Sequence, residues 1–382
     1  RPPTLRSHSM RIDSSANVAR FLLRQAEDQP DARALMAPQG RDTDGRIQYE
    51  EITFAELHAQ SEQVAHGLVK KGIRRGMRTL LMVRPGSDLI RCCFALFKVG
   101  AVPVVIDPGM GMKNFLSCVR RTRPEALVGI PLAQNVRRFS RKAFKSVRHS
   151  VTVGKGFSAW YSKFPGSDFP ITEPGPDELA AILFTSGSTG APKGVCYGHG
   201  QFDAQVRLVR DTFSIEPGEV DLPMLPIFAL FNPALGMTTV VPEMDPGKPA
   251  EVDPDKIIQA IEQCKVTNSF GSPVLWKKIA ARAKETDKSL TGLRRILMAG
   301  APVPPVLVEQ LQPVCPNATL WSPYGATECL PVSCIDGETI LEESSEKTSS
   351  GAGTCVGLPV AGVEIRIIPI QFSMIRFLKD TQ

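Results

Sequence analysis

The stretch Phe184-Thr185-Ser186-Gly187-Ser188-Thr189-Gly190-Ala191-Pro192-Lys193-Gly194 directly follows the apolar residues 180–183. Its glycines let backbone N–H groups approach an anion closely, its hydroxyls can donate to phosphate oxygens, and Lys193 adds a mobile positive charge. The Walker A spacing is excluded, because Pro192 stands five residues after Gly187, where that motif requires glycine. A flexible linker is the alternative interpretation of this composition, but a linker would not begin on a strand-like run. We therefore predict a strand followed by a phosphate-binding loop.

A second motif, Tyr324-Gly325-Ala326-Thr327-Glu328, lies far downstream. Together the two motifs resemble the adenylate-forming superfamily of acyl-CoA ligases, peptide-synthetase adenylation domains and luciferases. Three longer stretches, at residues 94–103, 106–111 and 328–332, are most similar to the β-lactone synthetases of long-chain olefin biosynthesis. The resemblance covers the chain from about Ala16 to Ile368. It implies an α/β fold, with two stacked α/β subdomains of the adenylate-forming N-terminal domain and the start of a smaller β subdomain.

The resemblance also implies a role for each residue of the two motifs. Attack of a carboxylate on the α-phosphate of ATP brings two anions together, so the site must neutralise charge and align the reactants. Lys193 is an implied catalytic residue, Thr327 would contact the α-phosphate and the acyl carbonyl, and Glu328 would bind Mg²⁺. One carboxylate is enough, because phosphates and waters complete the shell of this ion. The implied ligands of the β- and γ-phosphates are Thr185, Ser186, Gly187, Ser188, Thr189, Gly190 and Lys193.

Two further sets of residues are assigned by the same resemblance. The run 298–302 is similar to the adenine-binding turn of the family, where small residues let the base lie against the backbone and a tyrosine covers its other face. The segments 225–232 and 271–273 are similar to those that border the acyl pocket, although core packing explains Phe228 and Phe231 equally well. The implied adenine-binding residues are Gly300, Ala301, Pro302, Tyr324 and Gly325. The implied acyl-pocket residues are Phe228, Phe231, Asn232, Gly271, Ser272 and Pro273.

The reaction implied by the resemblance is adenylation of a long-chain β-hydroxy acid, whose own hydroxyl then closes a β-lactone and releases AMP. The alternative is a fatty acyl-CoA ligase, but Ala229 stands where many such ligases carry a histidine near the thiol route, which puts a CoA acceptor in doubt. A third alternative is a non-catalytic nucleotide- or acyl-binding module. The sequence contains no Thr-Gly-Asp motif and no C-terminal cap with a catalytic lysine, so we expect a shortened chain that binds ATP more readily than it turns over.

Composition and cysteine usage indicate the class of protein. Hydrophobic residues make up 42% and charged residues 22% of the 382 residues, which is typical of a soluble globular enzyme with two or three subdomains. The nine cysteines form no CxxC pair and the five histidines no HExxH motif, so neither a zinc site nor a disulfide scaffold is expected. No apolar run has the length of a membrane span. We therefore expect a reduced, cytoplasmic location.

Basic residues are concentrated between positions 135 and 150. Apolar residues recur among them at helical spacing, which allows two interpretations: a solvated helix face, or a basic amphipathic helix that touches an anionic membrane or an acidic protein partner. Nucleic acid binding is not expected, because no aromatic residues alternate with the basic ones. The basic residues are Arg137, Arg138, Arg141, Lys142, Lys145 and Arg148, and the apolar ones are Val136, Phe139, Ala143 and Val147.

The order of helices and strands is predicted from caps and periodicity. Thr53 with Glu56 forms a capping box that begins a helix running to Gly72, and a strand, a helix ended by Gly100 and another strand follow up to Ile106. We divide the chain into a first α/β subdomain at 10–176, a second with the phosphate loop at 177–335, and the start of a mainly β subdomain at 336–382. In this last part, residues 344–353 are predicted as a loop and 363–370 as a strand.

Overall fold

The computed structural model describes residues 16–185, 192–225, 230–245 and 247–367. Fifteen strands in these residues form two sheets. The strands are β1 (Arg33–Arg41), β2 (Ile47–Thr53), β3 (Arg78–Met82), β4 (Val102–Ile106), β5 (Ala126–Gly129), β6 (His149–Thr152), β7 (Leu179–Thr185), β8 (Lys193–Gly198), β9 (Val220–Pro223), β10 (Thr238–Val240), β11 (Asn268–Gly271), β12 (Arg295–Met298), β13 (Thr319–Ala326), β14 (Cys329–Asp336) and β15 (Leu358–Pro359).

Eleven helices cover and connect the two sheets within the described residues. No helix among them is both long and apolar enough to cross a membrane. The helices are α1 (Ala19–Asp28), α2 (Phe54–Lys70), α3 (Ser87–Val99), α4 (Met112–Thr122), α5 (Pro131–Phe139), α6 (Phe157–Tyr161), α7 (His199–Phe213), α8 (Asn232–Leu235), α9 (Pro254–Cys264), α10 (Pro273–Glu285) and α11 (Pro305–Val314). Short helical turns lie at Pro108–Met110, at Pro249–Glu251 and through residues 337–352.

Both sheets are mainly parallel and end in antiparallel strands. The six-stranded sheet has the order β6-β5-β3-β4-β7-β8, and only its last pair, β7–β8, is antiparallel. The nine-stranded sheet has the order β15-β14-β13-β12-β11-β9-β10-β1-β2 and is parallel from β13 to β1. Connections by helices between parallel strands are expected, because parallel strands need a crossover. The α/β class predicted from the sequence is confirmed.

Local signals explain the helices that connect the first strands. Thr53 caps α2 by accepting from the N–H of Glu56, while the Glu56 carboxylate accepts from the N–H of Thr53, so the predicted capping box is confirmed. Helix α3 ends at Gly100, which adopts φ of 72°, a conformation that glycine tolerates without strain. The predicted strand at 102–106 matches β4, whose residues are nearly all buried, as expected for a central parallel strand.

A buried ionic cluster joins α2 to α3. The Lys98 ammonium is fully buried and lies 3.4 Å from Glu62 Oε1 and 3.1 Å from the His58 carbonyl oxygen. His58 Nε2 lies 3.1 Å from the same Glu62 oxygen. Burial lowers the pKa of Lys98 to about 7, against the attraction of Glu62. Burial opposes ionisation of Glu62, but His58 and Lys98 outweigh it and hold the pKa of this carboxyl below its usual value. The cluster is part of the protein interior.

The structure differs from the sequence-based expectations in three places. The sheets do not divide at residue 176, because β1 and β2 belong to the nine-stranded sheet and β7 and β8 to the six-stranded one. Residues 337–352 form helical turns where a loop was expected at 344–353, and residues 363–367 form no strand. The predicted basic helix at 135–150 is interrupted, because α5 ends at Phe139 and β6 begins at His149.

Candidate active site

The phosphate-loop motif connects two antiparallel strands at the edge of the six-stranded sheet. Thr185 at the end of β7 stands opposite Lys193 at the start of β8. Lys193 is exposed, and the loop end before it is held by Arg121, whose guanidinium donates to the Pro192 carbonyl oxygen at 2.8 Å. The predicted strand before the loop is confirmed. The predicted phosphate ligands Ser186, Gly187, Ser188, Thr189 and Gly190 lie outside the described residues.

The second motif forms the turn of a β-hairpin. Ala326 in β13 pairs with Cys329 in β14, so Thr327 and Glu328 make up the connecting turn. Thr327 is half-buried and Glu328 is exposed. Gly325 is packed closely, since a Cβ there would lie 2.8 Å from the Leu330 side chain. The hairpin therefore presents the hydroxyl and the carboxylate that the sequence singled out on consecutive residues.

Three side chains of β8 and α7 attach this turn to the strand that begins with Lys193. The Tyr197 hydroxyl donates to the Thr327 carbonyl oxygen. Gln201 Nε2 donates to the carbonyl oxygen of Glu328 at 2.7 Å, and Gln205 Nε2 donates to that of Leu330 at 3.3 Å. The three donors are spaced four residues apart, and such spacing places the two glutamines on one helix face. The structure thus holds the second motif against the strand and helix that directly follow the first motif.

These three anchoring residues, Tyr197, Gln201 and Gln205, were not found from the sequence. Burial, reinforced by the nearby Glu328 charge, raises the pKa of Tyr197 to about 12, so its hydroxyl remains a donor at neutral pH. The Tyr197 ring stacks on Phe202 with centroids 4.8 Å apart, which fixes its direction. No sequence signal marks these anchors, because all three of their acceptors are backbone carbonyl oxygens.

The predicted adenine-binding residues follow two neighbouring strands of the nine-stranded sheet. Gly300 lies two residues after the end of β12 and adopts φ of 89°, while Ala301 and Pro302 beside it are exposed. Tyr324 lies in β13, the parallel neighbour of β12, and 52% of it is exposed. Carboxyl ends of parallel strands meet at one edge of a sheet, where ligands of such folds commonly bind. This edge of the nine-stranded sheet therefore carries the turn of Gly300, Ala301 and Pro302 after β12 and the exposed Tyr324 ring on the neighbouring β13.

The predicted acyl-pocket residues fall into different environments. Gly271 ends β11, and a Cβ there would lie 2.6 Å from the Met224 side chain, so this position is closely packed. Ser272 precedes α10 and is half-buried, whereas Pro273 is buried. Phe231 is half-buried, with its ring centroid 6.2 Å from that of Phe202. Phe228 lies outside the described residues.

Asn232 is buried, and its amide is engaged by a carboxyl group of the protein interior. It is 3% exposed, and its Nδ2 donates to Asp221 Oδ2 at 2.7 Å. Burial raises the pKa of Asp221 to about 7, although the bond from Asn232 opposes this shift. The Asn232 amide is therefore used to satisfy a buried carboxyl group, which is a structural role. The assignment of Asn232 to the acyl pocket stays a prediction.

The single carboxylate of Glu328 suits a magnesium ion that also binds a phosphate ligand. Within residues 16–367 as far as they are described, no three His, Cys, Asp or Glu side chains converge on one point. Glu328 is exposed and makes neither a hydrogen bond nor an ion pair through its carboxylate with the described residues. A single free carboxylate fits Mg²⁺, which keeps waters and phosphate oxygens in its shell, and fits a protein cage for Zn²⁺ poorly.

The fold and the two motifs are those of an AMP-binding enzyme. Residues 22–371 match the family described as AMP-binding enzyme, so the chain belongs to this family. It is 45% identical over 370 residues to an olefin β-lactone synthetase of Xanthomonas campestris pv. campestris, and 43% identical over 369 residues to one of Stenotrophomonas maltophilia. Both alignments cover 94% of this chain but 65% and 66% of those relatives, so the chain spans slightly less than two thirds of their length.

Solved structures show the same fold at low identity. A long-chain-fatty-acid-CoA ligase from Archaeoglobus fulgidus superposes with a TM-score of 0.75 at 22% identity, covering 92% of this chain and 70% of that one. An anthranilate CoA ligase in complex with anthranoyl-AMP superposes with a TM-score of 0.77 at 19% identity, covering 92% of this chain and 65% of that one. The likeness supports the two-sheet architecture, and at these identities it shows the fold alone.

Proposed function

We propose that this chain carries out the ATP-dependent adenylation of a long-chain carboxylic acid, forming an acyl adenylate and pyrophosphate. The substrate is a β-hydroxy fatty acid, and the adenylate is converted to a β-lactone with release of AMP. The observation that carries the proposal is the contact of Tyr197, Gln201 and Gln205 with the hairpin of Thr327 and Glu328, because it attaches the second motif of an AMP-binding enzyme to the elements that follow the first. The relatives named olefin β-lactone synthetase, at 43–45% identity, support the product.

The charges exposed at the site suit the first step. Lys193 would neutralise the β- and γ-phosphates together with loop residues 185–190, and Thr327 would donate to the α-phosphate and hold the acyl carbonyl. Glu328 would hold Mg²⁺, which lowers the repulsion between the phosphates and the incoming carboxylate. The turn at Gly300, Ala301 and Pro302, with Tyr324 and Gly325 beside it, would hold adenine. The carboxylate attacks the α-phosphorus, and pyrophosphate leaves.

The second step needs no further substrate. The β-hydroxyl oxygen of the acyl adenylate attacks its own carbonyl carbon and loses its proton, and the carbonyl–phosphate ester bond breaks to release AMP. The product therefore differs from the acid by one water. An internal nucleophile has a very high effective concentration, so exclusion of water and correct folding of the acyl chain are the main requirements on the protein.

Acyl transfer to CoA is the second candidate function. The named ligases of similar fold favour it, but Ala229 in place of the histidine found in many acyl-CoA ligases counts against it. Both candidates share the adenylation step and differ only in the nucleophile that attacks the acyl carbonyl. The nucleophile of the second step therefore distinguishes the β-lactone synthetase from the acyl-CoA ligase.

Mass spectrometry of the products tests the proposal. The chain is mixed with a long-chain β-hydroxy acid, ATP and Mg²⁺ without CoA, and the control is the acid of equal length that lacks the β-hydroxyl. We expect AMP, pyrophosphate and a product lighter by one water from the first acid, and no such product from the control. If AMP forms only after CoA is added, the chain is an acyl-CoA ligase and not a β-lactone synthetase. If the chain binds ATP but releases no pyrophosphate with either acid, it is a non-catalytic nucleotide- or acyl-binding module.

Two properties outside the chemical step are proposed with it. All nine cysteines are free, which supports a reducing, cytoplasmic environment. The basic residues between positions 135 and 150 are proposed to contact a membrane or a protein partner. Neither property affects the reaction proposed above.

A further inference from the structure

Helix α5 leaves large apolar side chains in water. Leu132 is 63% exposed and Phe139 is 89% exposed. They are seven residues apart, which is almost two full turns, so both lie along one edge of the helix. Single exposed apolar residues are common on proteins, but two aligned on one short helix form a patch that suits an apolar environment.

A cavity of about 480 Å³ lies on the other flank of α5, and basic and polar groups line it together with Phe144. Arg137 donates to the Val147 carbonyl oxygen at 3.2 Å, and Gln134 donates to that of Val151 at 3.1 Å, so the helix is fixed against the β6 side of the cavity. No acidic residue lines it. The polar lining residues are Gln134, Arg137, Arg138, Arg141, Ser150 and Thr152. Arginine side chains and hydroxyls together suit the oxygens of a phosphate group.

The exposed side of α5 therefore has an apolar and a cationic edge. Arg138 directly precedes Phe139, and consecutive residues are separated by 100° around the helix axis. Lys142, Lys145 and Arg148, all in the segment that follows, add further positive charge. A helix that lies in a membrane interface has this arrangement, with apolar side chains in the acyl region and arginines at the level of the headgroups.

We propose that the docking surface formed by Leu132, Phe139, Arg137, Arg138 and Arg141 binds an anionic membrane, with a lipid phosphate in the arginine cavity. A protein partner is less well matched, because the surface combines a cationic cavity that no acidic residue lines with isolated apolar projections. The docking surface is separate from the candidate active site. Strand β6 lies four strands away from β7, which is roughly 19 Å at the usual strand spacing. A membrane is also where a long-chain acid would be concentrated.

Vesicle co-sedimentation tests this docking surface. The vesicles contain phosphatidylcholine alone or a mixture with phosphatidylglycerol, and neither ATP nor acid is present. We expect the chain to bind only the anionic vesicles, and less strongly as salt is raised. The variant Arg138→Glu/Arg141→Glu should bind at least about tenfold more weakly, because each arginine near an anionic surface strengthens binding roughly fivefold. The variant Leu132→Ser/Phe139→Ser should also lose binding.

Matched variants control for net charge and for apolar exposure elsewhere. Lys277→Glu/Lys284→Glu changes the same number of charges on exposed positions of α10, and Val306→Ser removes an exposed apolar residue of α11. Both controls should bind as the unchanged chain does. All substituted side chains are at the surface, and circular dichroism checks that each variant is folded.

Three results would overturn the proposal. The first is equal vesicle binding by the unchanged chain and the Arg138/Arg141 variant. The second is undiminished binding by the Leu132/Phe139 variant, which would exclude insertion of the apolar edge. The third is a chain that does not bind anionic vesicles but whose melting temperature rises in inorganic phosphate, while that of the Arg138/Arg141 variant does not. This result would assign the cavity to a soluble phosphate. Because ATP and acid are absent, none of these results bears on the proposed reaction.

Discussion

One lysine and glutamate of this molecule are buried as an ion pair, whereas another lysine and glutamate are exposed and, among the described residues, unpaired. Lys98 and Glu62 are buried between α2 and α3, within 3.4 Å of each other and with His58 in contact with both. Lys193 and Glu328 are exposed on two hairpins, and neither charged group forms an ion pair with the described residues. The first pair is held inside the protein, whereas the second remains open to a ligand.

The difference indicates which charges serve folding and which serve binding. Ions removed from water are tolerated only when their partners are close, and a group that is fully engaged has little left to offer a ligand. Exposed and unpaired charges contribute little to stability, but they keep their full attraction for a phosphate or a cation. We therefore expect substitutions in the buried pair to change stability, and substitutions in the exposed residues to change ATP binding.

The largest effect is expected when the buried pair is broken. Lys98→Met should lower the free energy of unfolding by about 3 kcal/mol, because the buried Glu62 carboxylate then keeps His58 alone of its two close partners. Urea unfolding followed by circular dichroism measures this change. The double variant Lys98→Met/Glu62→Gln should recover at least half of the loss, since no uncompensated charge remains. A single-variant loss below about 1 kcal/mol would contradict the buried role of Lys98.

The exposed lysine should affect binding and leave stability unchanged. Lys193→Met should weaken ATP binding by roughly 1.5–3 kcal/mol, or about ten- to a hundredfold, which is the usual contribution of a hydrogen bond to a charged group. Isothermal titration calorimetry with ATP and Mg²⁺ measures it. Lys277→Met, at an exposed position of α10, is the matched control and should bind ATP normally. Equal ATP affinity of the two variants would remove Lys193 from the phosphate site.

The buried lysine also predicts how stability depends on pH. With a pKa of about 7 in the folded chain and about 10.5 when unfolded, Lys98 takes up a proton on unfolding between these values, so its contribution disfavours the folded state as pH falls toward 7. Its contribution to stability should rise by about 2 kcal/mol from pH 7 to pH 9.

The comparison of the unchanged chain with Lys98→Met isolates this pH effect. Burial raises the pKa of the thiols of Cys93 and Cys315 to about 12, and their contribution acts in the opposite direction above about pH 9. These thiols are present in both chains, so only the difference between the two urea midpoints reports Lys98. A difference that stays constant from pH 7 to pH 9 would show that Lys98 does not titrate in this range.

Sequence patterns predicted the elements whose signals are local. The cap at Thr53 and the stop at Gly100 each lie within a few residues of the helix they bound, and both were predicted correctly. The basic helix was predicted wrongly, because Ala143 and Val147 keep helical spacing with Phe139 although the chain turns after α5. Ala143 and Val147 are buried in a core cluster of the six-stranded sheet, whereas Phe139 is exposed, and only the folded chain separates these environments.

The same distinction applies to the candidate active site. The residues of the two motifs could be identified because each motif is a short, characteristic run. The anchors could not, because Gln201 and its acceptor on Glu328 are 127 residues apart and the acceptor is a backbone carbonyl, which carries no sequence signal. The bond of Asn232 to Asp221 was not predicted for a related reason, since the two residues meet only in the folded structure.

The smallest effect is expected from Gln201, which acts on the site through the backbone. Gln201→Ala removes the hydrogen bond to the Glu328 carbonyl oxygen, so the turn that presents this carboxylate should become less well positioned. We expect ATP binding in Mg²⁺ to weaken by about 1 kcal/mol, or roughly fivefold, which is typical of a neutral hydrogen bond. Asn317→Ala is the matched control, because it removes a side-chain bond of 2.9 Å to the Thr291 carbonyl oxygen elsewhere in the chain.

A double-mutant cycle separates positioning from general destabilisation. If Gln201 acts by holding Glu328, its substitution should have little further effect on ATP binding in a Glu328→Gln chain, because the carboxylate that it positions is already gone. A purely structural role for Gln201 would instead give the same loss in both backgrounds, and Asn317→Ala would resemble it. Coupling between Gln201 and Glu328 would therefore establish that the contact between α7 and the hairpin turn belongs to the ligand site.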